Sequence, residues 1–213
     1  MSIQTNDTPN ARERILQTAE AMFLSGGFHS ASIRELTDVA GVNVALVNYY
    51  FGSKRNLYLE VLKRKFSEIA QRKCTDLQQR FTARSSLTLE QALSDYVELY
   101  LGSEESMLAA KQYHEWISQL LTDDDDAMEL LLNQLIIPIH STLKNTLAEL
   151  VPQLDSNKLS LCIGSVTGQI FHFIRYPLAF KTLVELPPGS NLLEMAAKHI
   201  VAFSLKGFEE VSA

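Results

Sequence analysis

Apolar residues recur at the three- and four-residue spacing of helices along almost the whole chain of 213 residues. No segment shows the two-residue alternation that is typical of a half-buried strand, and the nine Gly and six Pro residues are confined to a few places. The sequence therefore predicts an all-α fold. Because 46% of the residues are hydrophobic and 21% are charged, the chain can bury a core, which excludes a disordered or fibrous class.

Capping signals divide the chain into predicted helices. The first helix is predicted to start at Thr8 and Pro9 and to end at Gly26 and Gly27. Later starts, several of them with Glu or Gln three residues after the cap, are predicted at Ser32 with Glu35, Asn43, Ser53, Thr88 with Gln91, Asp126 with Glu129, and Asn191 with Glu194. Pro138 is expected to kink or divide the helix that follows Asp126.

Two of the predicted helices, Ser32 to Ala40 and Asn43 to about Phe51, are short and are joined by a turn that contains Gly41. This arrangement fits a helix-turn-helix, in which the second helix enters the major groove of double-stranded DNA. A long helix follows from Ser53 to about Phe81. We therefore predict an N-terminal three-helix helix-turn-helix domain over residues 1–53 and a larger helical bundle over residues 54–213.

The charge is divided unevenly along the chain. Residues 1–73 hold ten Lys and Arg against seven Asp and Glu, a balance of +3, whereas the remainder holds nine against eighteen, a balance of −9. The basic residues on the predicted long helix, Lys63, Arg64, Lys65, Arg72 and Lys73, are expected mostly outside its apolar face. The asymmetry indicates that only the N-terminal third faces phosphate.

The two short helices contain candidate residues for DNA recognition. A small core is expected from Ile33, Leu36, Val39, Val42 and Val47. Asn48 is suited to adenine, and Ala45 or Val44 to a thymine methyl group. The remaining candidates at the DNA surface are Ser32, Arg34, Asn43, Tyr49, Tyr50 and Lys54, of which Ser32, the two tyrosines and Lys54 suit phosphate. Alternatively, Tyr49 and Tyr50 are packing residues and Lys54 is a solvated cation.

The string from Ile33 to Lys54 resembles the DNA-binding region of the TetR family. The matching pieces are Val39-Ala-Gly-Val42, Tyr49, Phe51-Gly-Ser-Lys54 and, upstream, Ala19, Phe23, Gly26 and Phe28, so that the resemblance covers about the first 65 residues. It implies that Tyr49 and Lys54 contact backbone phosphates. It also implies that the protein is a dimeric regulator in which residues 54–213 form the ligand-binding, regulatory and dimerisation domain. Thr37, Val44 and Asn48 depart from the family's common residues, which puts the operator sequence beyond prediction.

The segment from about Ser156 to Tyr176 is apolar on more than one side, which is typical of a helix buried from two directions. The stretch Gly168 to Arg175 resembles the CecR-like branch of the family. Gly164 and Gly168 lie on one stripe where another backbone can approach closely. With the last helix, this segment is expected to form a homodimer interface, as the resemblance also implies, through Gly164, Gly168, Phe171, Ala197 and Ile200. Alternatively, both helices are core of the single chain.

Polar and aromatic residues in apolar surroundings are candidates for a pocket that takes a small apolar or amphipathic ligand. They are Tyr96, Tyr100, His114, Trp116, His172 and Arg175, with Tyr113 and Tyr176 as further members. If Arg175 is buried, it requires an anionic partner from the ligand or from the protein.

Several classes of protein are excluded or disfavoured. The chain has no GxSxG, HExxH, P-loop or GxGxxG motif, so no enzyme activity and no cofactor are predicted. Cys74 and Cys162 match no metal-ligand spacing, and the acidic run Asp123–Asp126 lacks the pattern of a calcium loop, so no metal is expected. No apolar stretch is long enough for a signal peptide or a membrane span, and we expect a cytoplasmic protein.

Taken with the helix-turn-helix and the family resemblance, the sequence predicts a repressor that a ligand releases from DNA. One alternative is an all-helical small-molecule carrier or enzyme with an incidental helix-turn-helix-like segment. Another is an adaptor that binds protein through its acidic half.

Overall fold

The computed structural model describes residues 10–120, 125–187 and 189–212, and every regular element in these ranges is helical. The helices are α1 (Ala11–Gly26), α2 (Ile33–Ala40), α3 (Ala45–Phe51), α4 (Lys54–Thr82), α5 (Leu89–Leu101), α6 (Glu104–Leu120), α7 (Asp125–Leu131), α8 (Ile137–Leu150), α9 (Ser156–Arg175), α10 (Pro177–Leu183) and α11 (Leu192–Ser212). A 3-10 turn, Phe28–Ser30, precedes α2, and a π-helical segment, Leu132–Ile136, joins α7 to α8. The all-α prediction is confirmed.

The starts of α1 and α2 depend on side-chain caps. Asn10 caps α1, because its side-chain oxygen accepts a hydrogen bond from the N–H of Glu13 at 2.9 Å; the predicted start at Thr8 and Pro9 lies outside the described residues. At α2 the predicted capping box is present: Ser32 Oγ accepts from the N–H of Glu35 at 3.1 Å, and the Glu35 carboxylate accepts from the N–H of Ser32 at 2.8 Å. These bonds fix where the second helix begins.

The turn between α2 and α3 depends on Gly41 and Asn43. Gly41 has φ = 63°, a left-handed conformation that a side chain disfavours, and it ends α2 as predicted. Asn43 Oδ1 then accepts a hydrogen bond from the N–H of Ala45 at 2.8 Å, so that α3 begins at Ala45. Ser53 caps α4 through the N–H of Asn56 at 3.0 Å.

The described chain divides into two compact units. The first comprises the residues up to Ser67 together with the described part of 118–132, and the second comprises Glu68–Ile117 and the residues from Asn133 onward. Helix α4 therefore contributes its first half to one unit and its second half to the other, whereas the predicted boundary fell at its start. Among the described helices, none combines the length and the apolar character that crossing a bilayer requires.

In the first unit, α1 packs against α2 and α3, and the start of α4 contributes Leu57 and Tyr58 to the core. The Tyr58 ring meets Phe23 edge to face at a centroid distance of 5.2 Å. The prediction that Val39 belongs to this core is wrong, because its side chain is 70% exposed. The buried face of α2 carries Leu36, Thr37 and Ala40, and the 100° turn per residue directs Val39 outward.

In the second unit, α5 packs against α8, α9 and α11, and α9 also packs against α8, α10 and α11. The predicted box at Thr88 is present, because its hydroxyl accepts from the N–H of Gln91 at 3.2 Å and the Gln91 side chain accepts from the N–H of Thr88 at 3.0 Å. Asn191 caps α11 through the N–H of Leu193 at 2.9 Å.

The predicted interruption at Pro138 takes the form of the π-helical segment that separates α7 from α8. Proline lacks the N–H that a continuous helix needs, which explains the break. The prediction that Asp126 caps a helix is wrong, because α7 already includes Asp125; the Asp126 carboxylate instead accepts a hydrogen bond from Arg55 at 2.7 Å, within the first unit.

Candidate functional site

Helix α3 presents one exposed surface and buries the other. Val47 is inaccessible to solvent and Phe51 is buried, which holds the helix against α1. Asn48 is exposed beside them, and Tyr49 is 78% exposed. Val44 and Ala45 are exposed one turn earlier, on the same side as Asn48. The predicted base-reading residues therefore share one face of a short helix whose other face is anchored.

Tyrosine rings and capping residues surround this face. Tyr49 and Tyr50 meet edge to face at a centroid distance of 5.0 Å, and Tyr50 is partly exposed. Ser32, Arg34 and Asn43 are exposed, but the side-chain oxygens of Ser32 and Asn43 already accept hydrogen bonds from helix N–H groups. These two residues shape the turn, and the Ser32 hydroxyl still has its proton to donate.

Lys54, the first residue of α4, is positioned by aromatic rings. Its Nζ lies 4.4 Å from the centroid of the Phe28 ring and 5.9 Å from that of Phe23. A cation over a ring face is stabilised electrostatically. The same contact restricts the side chain, so the Lys54 ammonium group is positioned against the aromatic rings and is not freely solvated.

Other basic residues of the first unit are engaged with carboxylates. Arg12 pairs with Glu60 at 2.9 Å, Arg64 with Glu13 at 2.7 Å and Lys65 with Glu20 at 2.8 Å. The hydrogen bond from Arg64 lowers the pKa of Glu13. These pairs connect α1 to α4, so three of the cations in the N-terminal third are already paired within the protein.

Thr37, one of the positions that depart from the TetR-family pattern which the sequence resembles, is fully buried. Its hydroxyl donates to the carbonyl oxygen of Arg34 at 3.0 Å, so the buried polar group is satisfied within its own helix.

Three of the predicted ligand residues come together in the second unit. The ring centroids of Tyr96 and Tyr100 lie 5.7 Å apart, Tyr100 lies 5.4 Å from Phe171, and His114 stacks on Phe171 at 5.6 Å. The Tyr96 and Thr167 hydroxyls are 2.8 Å apart. Burial raises the pKa of both tyrosines, so they stay protonated. We call Tyr96, Tyr100, His114, Thr167 and Phe171 the aromatic cluster.

Lys73 lies beside this cluster, whereas the sequence analysis expected it mostly outside the apolar face of α4 and did not include it among the ligand residues. Its Nζ lies 3.7 Å from the centroid of the Tyr100 ring. The stripe of buried residues Phe66, Ile69, Ala70 and Leu77 has Lys73 at its helical spacing, which is the signal that could have identified it.

The other predicted ligand residues lie elsewhere. His172 lines a cavity of about 380 Å³ between α9, α10 and α11, with mainly apolar walls that include Phe180 and Met195. Arg175 is exposed, so the burial that would require an anionic partner is not present there. The side chain of Trp116 lies outside the described part of the structure.

Helix α11 carries two apolar stripes, one turned inward and one outward, and the predicted dimer residues do not all lie on an exposed surface. Ile200 is buried within the chain, Ala197 is half-buried in a groove beside α5, and Phe171 belongs to the aromatic cluster, so these three do not form an exposed face. The outward stripe instead carries Phe203, which is 63% exposed, and Met195. On α9 the exposed residues are Gly164, Gly168 and Leu161, the last of them 72% exposed. We call Leu161, Gly164, Gly168, Met195 and Phe203 the α9–α11 face.

No group of three or more His, Cys, Asp and Glu side chains is gathered as a metal site would require, as far as the described ranges extend. The arrangement that stands out is the anchored helix with its exposed polar and aromatic face. An all-helical fold with this feature near its N-terminus defines a helix-turn-helix DNA-binding protein.

Comparison with known proteins identifies the family. Residues 15–61 match the bacterial regulatory proteins of the tetR family, and residues 89–208 match the C-terminal domain of the HTH-type transcriptional dual regulator CecR. CecR of Shigella flexneri is 30% identical over 174 residues, which cover 76% of this chain and 75% of CecR. The chain belongs to the TetR family of transcriptional regulators and has a CecR-type C-terminal domain.

Two further likenesses are more limited. The HTH-type transcriptional repressor AcnR of Corynebacterium glutamicum is 31% identical over 72 residues, so the match spans 33% of this chain and 38% of AcnR. The transcriptional regulator FadR from Bacillus subtilis, solved in complex with stearoyl-CoA, has the same fold with a TM-score of 0.57 at 14% identity, covering 92% of this chain and 98% of FadR. Since the relatives are transcriptional regulators, the alternative of a carrier or enzyme with an incidental helix-turn-helix is not favoured.

Proposed function

We propose that this protein is a cytoplasmic repressor that binds a palindromic DNA operator as a homodimer and leaves it when a small apolar or amphipathic ligand binds the second unit. The observation that carries the proposal is α3, whose buried Val47 and Phe51 present Asn48 and Tyr49 to solvent. Asn48 reads a base edge, and Tyr49 and Lys54 contact backbone phosphate.

The α9–α11 face supports assembly with a second copy. Leu161 and Phe203 are large apolar side chains left exposed on neighbouring helices. Beside them, a Cβ built on Gly164 or Gly168 meets no atom within 4 Å, so the space above these glycines is open within one chain. A two-fold partner fills it with its own α9 and α11, and the same apolar surface is buried on both copies.

The aromatic cluster supports a ligand site. It combines aromatic side chains with a few polar groups, which is the usual composition of small-molecule sites. The same fold holds stearoyl-CoA in FadR, which is an amphipathic molecule. Helix α4 has 29 residues, about 44 Å of helix, and begins at Lys54. Ligand binding near Lys73 is proposed to tilt α4 and so change the separation of the two recognition helices.

Selection of bound sites from random double-stranded DNA tests the proposal. The expected result is a palindromic sequence bound with a strong dependence on salt, and loss of that binding on addition of a member of a small-molecule panel. Enrichment of no sequence at all would contradict DNA recognition. Enrichment of a palindrome that no compound releases would leave a DNA-binding protein without ligand control.

A further inference from the structure

Lys73 is a half-buried cation beside the aromatic cluster. Its ammonium group lies over the Tyr100 ring and donates a hydrogen bond to the carbonyl oxygen of Leu99 at 3.3 Å. Both contacts involve neutral groups. Burial, followed by the neighbouring charge of Arg72, lowers the pKa of Lys73 to about 8.

The acidic residues near Lys73 are already engaged. Asp76, one turn further along α4, accepts from Arg80 at 2.8 Å, and Arg80 also pairs with Glu98 at 3.1 Å. Asp95, the buried carboxylate of α5, pairs with Arg84. Among the carboxylates of the described ranges, none pairs with Lys73. The charge of Asp76 favours the protonated form of Lys73 without forming an ion pair, so the cost of half-burying the ammonium group is only partly offset, and a negatively charged partner would offset more of it.

The neighbouring groups suit an anion with an apolar body. The Thr167 hydroxyl donates to the carbonyl oxygen of Ile163 at 2.8 Å and accepts from Tyr96, so these hydroxyls are satisfied within the cluster and the Lys73 ammonium is the group left to meet an anion. The Tyr100 and Phe171 rings, which are in contact with each other, provide apolar surface beside it. Arg175, which the sequence analysis considered as a partner for an anionic ligand group, is exposed.

We propose that Lys73 is the residue that selects the charge of the ligand, so that the ligand is an amphipathic anion whose carboxylate or equivalent group pairs with the Lys73 ammonium beside Tyr100. The inference rests on the proposed ligand-controlled function, and it names the chemical class of the ligand. Lys73 therefore contributes recognition, and its partial burial in the free protein holds a cation ready for that pairing.

Matched probes that differ only in head group provide the test. Dodecanoate, dodecanol and dodecyltrimethylammonium share one alkyl chain, and their affinities for the full-length protein are measured by calorimetry at pH 7. The expected result is that dodecanoate binds about tenfold or more tightly than dodecanol, with the cationic probe weakest. Shorter and longer chains with the same three head groups extend the series, and the absence of an anion preference at every chain length, absence of binding included, would overturn the proposal.

Variants assign the preference to Lys73. Lys73→Met should remove the preference for the anion, Lys73→Arg should keep it, and Lys63→Met, which changes an exposed lysine on the same helix, should have no effect. An anion preference that survives in Lys73→Met would overturn the proposal. Circular dichroism and operator binding without ligand show that each variant is folded, and normal operator binding separates failure of this inference from failure of the proposed function.

The pH dependence gives a second readout. The anion preference should fall between pH 7 and pH 9 in the wild-type protein, because Lys73 loses its charge in this range. The other titratable groups nearby are Arg72, Cys74 and Asp76 on α4, Tyr96 and Tyr100 on α5, and His114 on α6. Lys73→Met separates their contribution, since any pH dependence that remains in this variant belongs to them. A wild-type preference that is unchanged at pH 9 would contradict the pairing.

Discussion

The ammonium group of Lys54 lies 4.4 Å from the centroid of the Phe28 ring, so the first residue of α4 is held against the turn that precedes α2. We expect Lys54→Ala to weaken binding to all DNA sequences alike and to reduce the slope of log affinity against log salt by about one, because one phosphate contact is lost. Lys63→Ala, an exposed lysine on the same helix, is the control. Fluorescence anisotropy over a range of salt concentrations measures both slopes, and equal slopes would remove Lys54 from the DNA surface.

For Asn48 we expect a change in sequence preference and little change in salt dependence, the reverse of what we expect for Lys54. Since a carboxamide can pair with an adenine edge, Asn48→Ala should weaken specific binding by about 1 to 3 kcal/mol and relax the preference at one base position per half-site. The salt dependence should stay close to that of the wild type. Asn145→Ala, an exposed asparagine on α8, is the matched control. Binding measured on a set of single-base operator variants gives the result, and an unchanged preference at every position would exclude base reading by Asn48.

Gly168 tests the proposed dimer. A Cβ at this position meets no atom within 4 Å in the single chain, so Gly168→Leu should leave the chain folded while its side chain blocks the close approach of a second copy. Sedimentation should show more monomer, and DNA affinity should fall with it. Gly168→Ala adds one methyl group and should keep the dimer better than leucine does. A Gly168→Leu protein that sediments like the wild type would place the interface elsewhere.

Much of the fold was predictable because local signals decide it. The hydroxyl of Ser32, the carboxylate of Glu35 and the left-handed Gly41 act within a few residues of their own positions, and the structure has each in the predicted role. The exposed positions of Asn48 and Tyr49 follow from the phase of one short helix whose buried face is marked by Val47 and Phe51.

The sequence did not predict which face of a helix is buried when the helix has more than one apolar face, because this depends on the neighbouring helices. Helix α11 carries two apolar stripes, and only the packing against α5 and α9 decides that Ile200 turns inward and Phe203 outward. Lys73 was misplaced for the same reason: a charged residue next to an apolar stripe is expected outside it, yet Lys73 is half-buried in line with the buried stripe of α4. Sequence periodicity identifies the apolar faces of a helix, and tertiary contacts decide which of these faces is buried and which is exposed.

Burial of Lys73 also has a consequence for stability. The pKa of Lys73 is about 8 in the folded protein against 10.5 for the free side chain, so the unfolded chain holds more protons between these values. The folded state therefore gains stability as pH rises through this window, and below pH 8 the full cost of the buried charge is present. We expect Lys73→Met to raise the free energy of unfolding at pH 7 by about 1 to 3 kcal/mol, with a smaller gain at pH 10.

Urea denaturation of both proteins at the two pH values measures this difference. Lys63→Met is the control, and it should change the free energy of unfolding little at either pH, because its side chain is exposed. A Lys73→Met protein that is less stable than the wild type at pH 7 would show that the ammonium group stabilises the fold.

The spacing of the two operator half-sites tests the central claim most directly, because it requires α3 to read DNA and two copies to act together. The affinity is measured for the selected palindrome and for the same duplex with five base pairs inserted between the half-sites, which turns one half-site to the other side of the helix. Two recognition helices joined through a two-fold dimer reach both half-sites only at a separation of roughly 34 Å or a multiple of it. We expect the insertion to lower the affinity by about 100-fold or more. Equal affinity for the two duplexes would contradict the account.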